Sequence, residues 1–108
     1  MLKKQDLPPD VLEGTRDPWG RTVRLKESAM RHIAKRHPEL EGCEVPITTA
    51  VENAFERSRT RHDGREVLWA ANLGPAAWLA VVIAYDGEIG EVITAYGNKK
   101  GPKSEDRI

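Results

Sequence analysis

The chain lacks the features that define several large classes of protein. Its 108 residues include a single cysteine, Cys43, which excludes an internal disulfide framework and fits a reducing compartment. Lysine plus arginine and aspartate plus glutamate each number 17, so the formal net charge is zero. A neutral chain has no overall electrostatic attraction to nucleic acid or to an anionic membrane, and any basic site must therefore be local.

Long apolar segments are also missing. The first six residues are not followed by the apolar core of a signal peptide, and the longest apolar run is about half of what a spanning helix needs. We therefore expect a soluble, cytoplasmic protein that does not associate with a membrane. At this length we expect one domain over residues 21–100, with residues 1–20 as a lead-in arm and residues 101–108 as a flexible tail.

No set of residues has the spacing of a metal site. The candidate ligands are His32, His37, His62 and Cys43, and no CxxC motif, HExxH motif or carboxylate-rich loop accompanies them. Cys43 lies in an acidic loop that does not favour a thiolate, so it is a poor candidate for a nucleophile. We expect neither a metal nor another cofactor.

Three apolar runs, at residues 67–71, 77–85 and 89–96, dominate the second half of the sequence. Leu73-Gly74-Pro75 separates the first run from the second. The second run has almost no polar alternation, and its successive β-branched residues disfavour a helix, so it predicts a central strand covered on both faces. Asp86-Gly87 supplies a two-residue turn, which predicts that the second and third runs pair antiparallel.

The first half of the sequence predicts one short strand and two helices. Prolines and glycines through residues 1–20 oppose regular structure there. Residues 21–25 alternate between polar and apolar and predict a short edge strand. Apolar residues at helical spacing predict an amphipathic helix from Lys26 to His37, which Pro38 ends.

The second helix is predicted from a local motif. Thr49-Ala50-Val51-Glu52 has the form of a capping box, so a helix is expected to begin there and to run to about Ser58. The predicted fold class is therefore α+β, with a short N-terminal strand and two helices packed on a roughly four-stranded antiparallel sheet.

Several side chains are candidates for proton transfer or for binding a phosphate. His32 and Arg36 share a helix face, which sets a proton-transfer group beside a cation, although His32 is equally suited to a plain surface position. His37 is suited to a helix C-terminus, where the macrodipole favours a cation. Thr94 and Tyr96 share one face of the last strand, where their hydroxyls are able to donate to a phosphate. Both residue types are also common in strands without any such role.

An arginine-rich segment follows the second predicted helix. If Asp63-Gly64 closes a hairpin, Arg59 and Arg61 lie on a strand and point to one face. Guanidinium groups are suited to binding phosphate, whereas a solvated hairpin balanced by nearby carboxylates explains the same segment without a ligand.

These segments together resemble a known superfamily. Residues 31–39 (RHIAKRHPE), residues 47–55 and the closing VITAY at residues 92–96 are similar to the small BECR nucleases, which group barnase, EndoU, colicin E5/D and RelE-like toxins. The narrower resemblance is to their phage-associated and polymorphic-toxin branches. It covers most of residues 20–100.

The resemblance implies an endoribonuclease that works without a metal. A base removes the ribose 2′-OH proton, the oxygen attacks the adjacent phosphorus, and an acid protonates the leaving 5′-oxygen. It implies that His32 is the acid/base residue, with His37 as the competing choice. It also implies phosphate-binding and orienting roles for a wider set: Arg36, Arg59, Arg61, Thr94, Tyr96 and Lys99.

The implied partners are RNA, with tRNA as one candidate, and a small acidic antitoxin or immunity protein. The alternative is a non-catalytic protein-binding module of the same fold, either a degenerate toxin or a toxin-antitoxin partner, and the neutral charge favours it. Convergence of His32, Arg61, Thr94 and Lys99 on one basic cleft would favour the enzyme, whereas a failure to converge would count against it and leave the binding module.

Overall fold

A computed structural model describes residues 9–72 and 77–108, and these contain two α-helices and six strands. The elements in chain order are β1 (Val11–Arg16), β2 (Thr22–Lys26), α1 (Glu27–Arg36), α2 (Glu44–Glu52), β3 (Glu56–Arg59), β4 (Arg65–Ala71), β5 (Trp78–Asp86) and β6 (Ile89–Asn98). Single 3-10 turns lie at Pro38–Leu40 and Ser104–Asp106. Neither α-helix of the described ranges is long and apolar enough to cross a membrane.

The strands form one mixed sheet in the order β1-β2-β6-β5-β4-β3. Neighbouring strands run antiparallel except β2 and β6, which are parallel. The predicted α+β class with two helices is confirmed, but the sheet is larger than the four antiparallel strands expected.

The first strand corrects the expectation that residues 1–20 are irregular. Strand β1 occupies Val11–Arg16, because the prolines lie on either side of it and leave a run that pairs with β2, with one irregularity between Val11 and Glu13. Val11 and Thr15 bury their side chains in this hairpin. Gly14 stays within the ladder opposite Arg24, so a glycine there does not end the strand.

The central strand is β5, as predicted, since it pairs with β4 on one side and β6 on the other. The two-residue hairpin between β5 and β6 is also confirmed, but its central residues are Gly87 and Glu88, one position later than expected, because Asp86 pairs with Ile89. Gly87 has a positive φ of 62° and Glu88 does not, as a type II′ turn requires. Leu73-Gly74-Pro75 lies outside the described residues.

Helix α1 spans Glu27–Arg36, one residue shorter at each end than the predicted Lys26–His37, whereas the prediction for the second helix is wrong by several residues at both ends. Helix α2 begins at Glu44 and stops at Glu52, so Thr49 is inside it and Ser58 belongs to β3. An early start is permitted because Pro46 falls in the first turn, where its missing N–H has no helical partner to lose.

Both helices pack on one face of the sheet. The core between these layers is built from aliphatic side chains, and its fully buried members include Val23, Leu25, Ile33, Leu40, Ile47, Val51, Leu68, Leu79, Val81 and Ile83. The face opposite the helices carries a second, aromatic-rich cluster around Trp69 and Ala80, with Trp78 and Tyr96 packed beside them.

The chain after β6 crosses this second face and reaches β3. Gly101 lies so close to the Trp78 ring that a Cβ at this position would come within 2.7 Å of it. Ile108 donates its backbone N–H to the carbonyl of Arg57 at 3.0 Å, and Arg107 forms a bridge with Ser58. The segment expected to be a flexible tail is therefore in contact with the sheet.

Candidate active site

His37 and Tyr96 meet at the C-terminal end of α1. His37 leaves the helix with φ −133° and ψ 78°, since a residue before proline is disfavoured in the α conformation, and its N–H still bonds to the carbonyl of Ile33 at 2.7 Å. This exit turns the imidazole toward the sheet, where its centroid lies 6.2 Å from that of the Tyr96 ring. The His37 side chain remains 35% exposed, so it is within reach of a ligand.

A carboxylate stands near the same imidazole. Glu39 Oε1 is 3.7 Å from His37 Nδ1, which is too long for a hydrogen bond but close enough to attract the protonated ring. The imidazole therefore has the Tyr96 ring and the Glu39 carboxylate as neighbours.

Tyr96 stands on β6 opposite Ala80, on the face that the helices do not cover. Its ring meets Trp69 edge to face, with centroids 6.3 Å apart and planes at 87°. Burial raises the pKa of Tyr96 above its ordinary value, so the phenol is protonated and able to donate at neutral pH. Among the residues described, its hydroxyl has no hydrogen-bond partner.

Three more of the predicted site residues lie at this end of the molecule. Thr94 shares the face of Tyr96, two positions earlier on β6 and opposite Val82. Lys99 directly follows β6 and is exposed, and Arg36 is exposed beside His37. None of these three side chains forms an ion pair or a hydrogen bond with another residue in the described ranges.

His32 lies apart from the sheet. Helix α1 buries Met30 and Ile33 against the core, and His32 is exposed on its outer surface. It is one helical turn before Arg36, as predicted, but within residues 9–72 and 77–108 its side chain has no hydrogen-bond partner. The structure therefore brings His37, rather than His32, into contact with the last strand.

Arg59 and Arg61 lie at the other end of the sheet. The hairpin of β3 and β4 forms as predicted, with Arg59 paired to Glu66, but Arg61 lies in the connecting loop rather than on the strand. That loop sits beside Tyr85, whose N–H bonds to the carbonyl of Gly64 at 2.7 Å.

The length of β4 measures this separation. Strand β5 aligns β4 with β6. Arg65 of β4 pairs with Ala84, which pairs with Glu91 near the start of β6, and Ala71 pairs with Trp78, which pairs with Asn98 at the end of β6. The six steps between Arg65 and Ala71 span about 20 Å at roughly 3.3 Å per residue. His32, Arg61, Thr94 and Lys99 therefore do not converge on one cleft.

The arginine end of the sheet holds a cluster that sequence reasoning missed. Arg21 donates from Nε to Asp17 Oδ2 at 2.8 Å, and from its two terminal nitrogens to the Glu66 carboxylate at 2.7 and 3.0 Å. Its guanidinium also lies 3.6 Å from the centroid of the Tyr85 ring. Arg57 donates to Glu66 at 3.0 Å, and the Tyr85 hydroxyl donates to Asp17 at 2.8 Å.

The protonation states in this cluster are fixed by their partners. Hydrogen bonds from Arg21 lower the pKa of Glu66 from 4.5 to about 2, although burial acts in the opposite direction. The bond to Glu66 raises the pKa of Arg21, and burial raises the pKa of Tyr85 well above its ordinary value. Each charge has a partner, so the cluster is suited to holding the N-terminal hairpin to the sheet. The only clue in the sequence is the i, i+4 spacing of Asp17 and Arg21.

A second feature that the sequence did not indicate is a cavity beneath the chain that follows β6. Its volume is about 420 Å³, and one of its lining residues is Tyr96, the ring neighbour of His37. The lining residues are Ser58, Trp69, Tyr96, Asn98, Lys100, Gly101, Pro102, Lys103 and Asp106. Trp69 and Ser58 escaped prediction because a single buried tryptophan or serine has no spacing signal.

Comparisons with protein-family models, curated proteins and solved structures find no significant match. The resemblance to the BECR nucleases therefore rests on the sequence motifs alone, and the roles that it implies stay predictions. Within residues 9–72 and 77–108, no cluster of three or more histidine, cysteine, aspartate or glutamate side chains is arranged to hold a metal ion.

Proposed function

We propose that the protein is a metal-independent endoribonuclease whose active site is centred on His37 and Tyr96. The observation that carries the proposal is the 6.2 Å contact between these rings, which sets an accessible imidazole beside a protonated phenol. Exposed cations stand at the same end of the sheet at Arg36 and Lys99. An imidazole, a hydroxyl donor and nearby cations are what attack by a ribose 2′-OH requires.

The residues have distinct roles in the proposed reaction. His37 accepts the proton of the ribose 2′-OH, and the oxygen forms a bond to phosphorus while the bond to the 5′-oxygen breaks. The leaving 5′-oxygen takes a proton, for which Tyr96 is the neighbouring donor. Arg36 and Lys99 stabilise the charge that develops on the phosphate, and Thr94 orients it. The products carry a 2′,3′-cyclic phosphate and a 5′-hydroxyl.

The geometry favours His37 over His32 as the acid/base residue. His32 projects from the exposed side of α1, where water surrounds it. His37 is half-buried at a helix exit beside a sheet residue and a carboxylate, so its position is defined by its surroundings. Proton transfer in a transition state depends on such positioning, because a misplaced base contributes little.

The wide separation between the arginines and Lys99 supports a second candidate function. Arg59 and Arg61 lie about 20 Å from Lys99 by the strand spacing, and the net charge is zero. Affinity for RNA depends largely on neutralised phosphates, so dispersed cations favour a protein-binding module over a tight RNA-binding enzyme.

The experiment that separates these functions compares His37→Ala with the matched control His32→Ala. Purified protein is incubated with total RNA in EDTA, and cleaved ends are tested for cyclic phosphate. We expect wild type and His32→Ala to cut, and His37→Ala to cut at least about a hundredfold more slowly, since general acid-base catalysis contributes roughly that much.

Thermal melting of all three proteins controls for loss of fold. Cleavage that survives in His37→Ala, or that disappears only in His32→Ala, would contradict the assignment of His37. If folded wild-type protein cuts no RNA in the pool, the proposal fails and the protein-binding module is the function that remains.

A further inference from the structure

The cavity beneath the chain that follows β6 has an aromatic floor. Trp69 and Tyr96 supply this floor from neighbouring positions across the sheet, because both pair with Ala80 from opposite sides. Their rings stand nearly perpendicular, so a flat molecule stacked on one ring presents its edge to the other. Every nucleobase has a π-face that stacks on aromatic side chains of this kind.

Polar groups at fixed positions line the same space. Ser58 is only 4% exposed, and its Oγ accepts a hydrogen bond from Trp69 Nε1 at 2.9 Å. The hydroxyl keeps its own hydrogen to donate, and no acceptor for it is found among the residues described. Asn98 uses its Oδ1 to accept the N–H of Lys100 at 3.1 Å, which leaves its amide hydrogens available. A ligand edge that accepts hydrogen bonds would satisfy both groups.

The cavity is lined by more cationic than anionic side chains. Lys100 and Lys103 contribute two cations and Asp106 contributes one carboxylate, so the lining has a net positive charge although the chain has none. This excess suits an anion, and the carboxylate suits the exocyclic amino groups that several bases carry. A volume of about 420 Å³ lies in the range of sites that bind small molecules.

We propose that this cavity binds a single nucleotide unit. The base stacks on Tyr96, beside the nearly buried Trp69 ring and with its edge toward Ser58 and Asn98, and the phosphate is held by Lys100 and Lys103. The inference rests on the proposed function, because the unit is one residue of the RNA, held next to His37 by the shared neighbour Tyr96. The pocket would select the nucleotide beside the cleaved bond.

The test uses the full chain and four nucleoside 5′-monophosphates, AMP, GMP, CMP and UMP, titrated by calorimetry and by NMR of the tryptophan indole N–H signals. We expect at least one nucleotide to bind and to shift the Trp69 indole signal. Lys100→Gln should weaken this binding about tenfold, the effect of losing one charge-assisted hydrogen bond. Lys103→Gln should act in the same direction.

Lys35→Gln is the matched control, since Lys35 is an exposed lysine of α1 outside the cavity. It should leave the affinity within about twofold of wild type, as expected for a distant surface charge under screening salt. Both cavity lysines are at the surface, so their variants are expected to fold, which thermal melting checks. An equal loss in Lys35→Gln would show nonspecific attraction and overturn the proposal.

Inorganic phosphate and ribose 5-phosphate complete the design. If they bind as tightly as the nucleotides, the lysines hold an anion and the base pocket is wrong. If no nucleotide binds at millimolar concentration, the pocket is also wrong, whether or not the protein cuts RNA. Nucleotide binding without RNA cleavage would support the pocket and reject the nuclease, so the two failures are distinguishable.

Discussion

The two ends of the sheet carry similar kinds of side chain, but in the described part of the chain those at one end are hydrogen-bonded to each other and those at the other end are not. Each end has a tyrosine, nearby cations and a carboxylate. At one end, Tyr85 donates to Asp17 and Arg21 is bonded to both Asp17 and Glu66. At the other end, the hydroxyl of Tyr96 and the ammonium of Lys99 have no partners within the described residues. Paired charges stabilise a fold, whereas accessible unpaired donors are what a ligand needs, so the first end is suited to holding the fold and the second end is where the proposed function places binding.

The largest expected effect comes from breaking the paired end. Arg21→Met removes the guanidinium and leaves the fully buried carboxylate of Asp17 without a cation, while Glu66 retains its bond to Arg57. An uncompensated buried charge costs about 3–5 kcal/mol, and we expect the free energy of unfolding in urea to fall by that amount.

Arg31→Met is the matched control for this change. Arg31 also bonds to a glutamate, Glu27, at 2.7 Å, but both side chains are exposed by more than half. Its loss should alter stability by less than about 0.5 kcal/mol. Comparable destabilisation by the two variants would mean that the paired end is not special, and our comparison would then be wrong.

The pH dependence of stability gives the next effect. Hydrogen bonds from Arg21 lower the pKa of Glu66 on folding, so ionised Glu66 stabilises the protein fully above about pH 4.5. This contribution is lost as the pH falls from about 4.5 toward 2 and amounts to about 3 kcal/mol. Urea unfolding at a series of pH values measures it. Glu66→Gln, less stable at neutral pH, should lose correspondingly less on acidification, and identical pH profiles for the two proteins would contradict the assigned ion pair.

The smallest expected effect on stability contrasts the two tyrosines directly. Tyr85→Phe removes a hydrogen bond to a buried carboxylate and should cost about 2 kcal/mol. Tyr96→Phe removes a hydroxyl without a partner in the described residues and should change stability by less than about 0.5 kcal/mol. Under the proposed function, Tyr96→Phe should slow RNA cleavage, whereas folded Tyr85→Phe should cut RNA at the wild-type rate. Reversed results in melting and cleavage assays would exchange the roles of the two ends.

The parts of the fold that depend on local pattern were predictable. The continuous apolar run of β5 and the helical spacing of α1 are both local patterns that can be read from neighbouring residues. Strand β1 was not predictable from local pattern, because its glycine and flanking prolines oppose strand structure and pairing with β2 overrides them. The start of α2 was missed for a similar reason, since the packing of Ile47 against the core decides it.

The candidate site was only partly predictable. His37 and Tyr96 were each named from the sequence, but nothing in their spacing shows that a helix exit would bring the two rings together. The cluster of Asp17, Arg21 and Glu66 joins the β1–β2 turn to the distant strand β4, and Trp69 shows its role only when the chain after β6 covers it. Contacts between distant segments depend on topology, which a single sequence does not display.

Because β2 pairs with β6 in parallel, the sheet cannot be completed during synthesis until β6 has been made. The β1–β2 hairpin leaves the ribosome early, but the β2 edge has no partner until residues 89–91 emerge. Until then its backbone donors and acceptors are open to other nascent chains. We therefore expect the last step of folding to wait until β6 has emerged, and a chaperone that shields strand edges to raise the yield of folded protein.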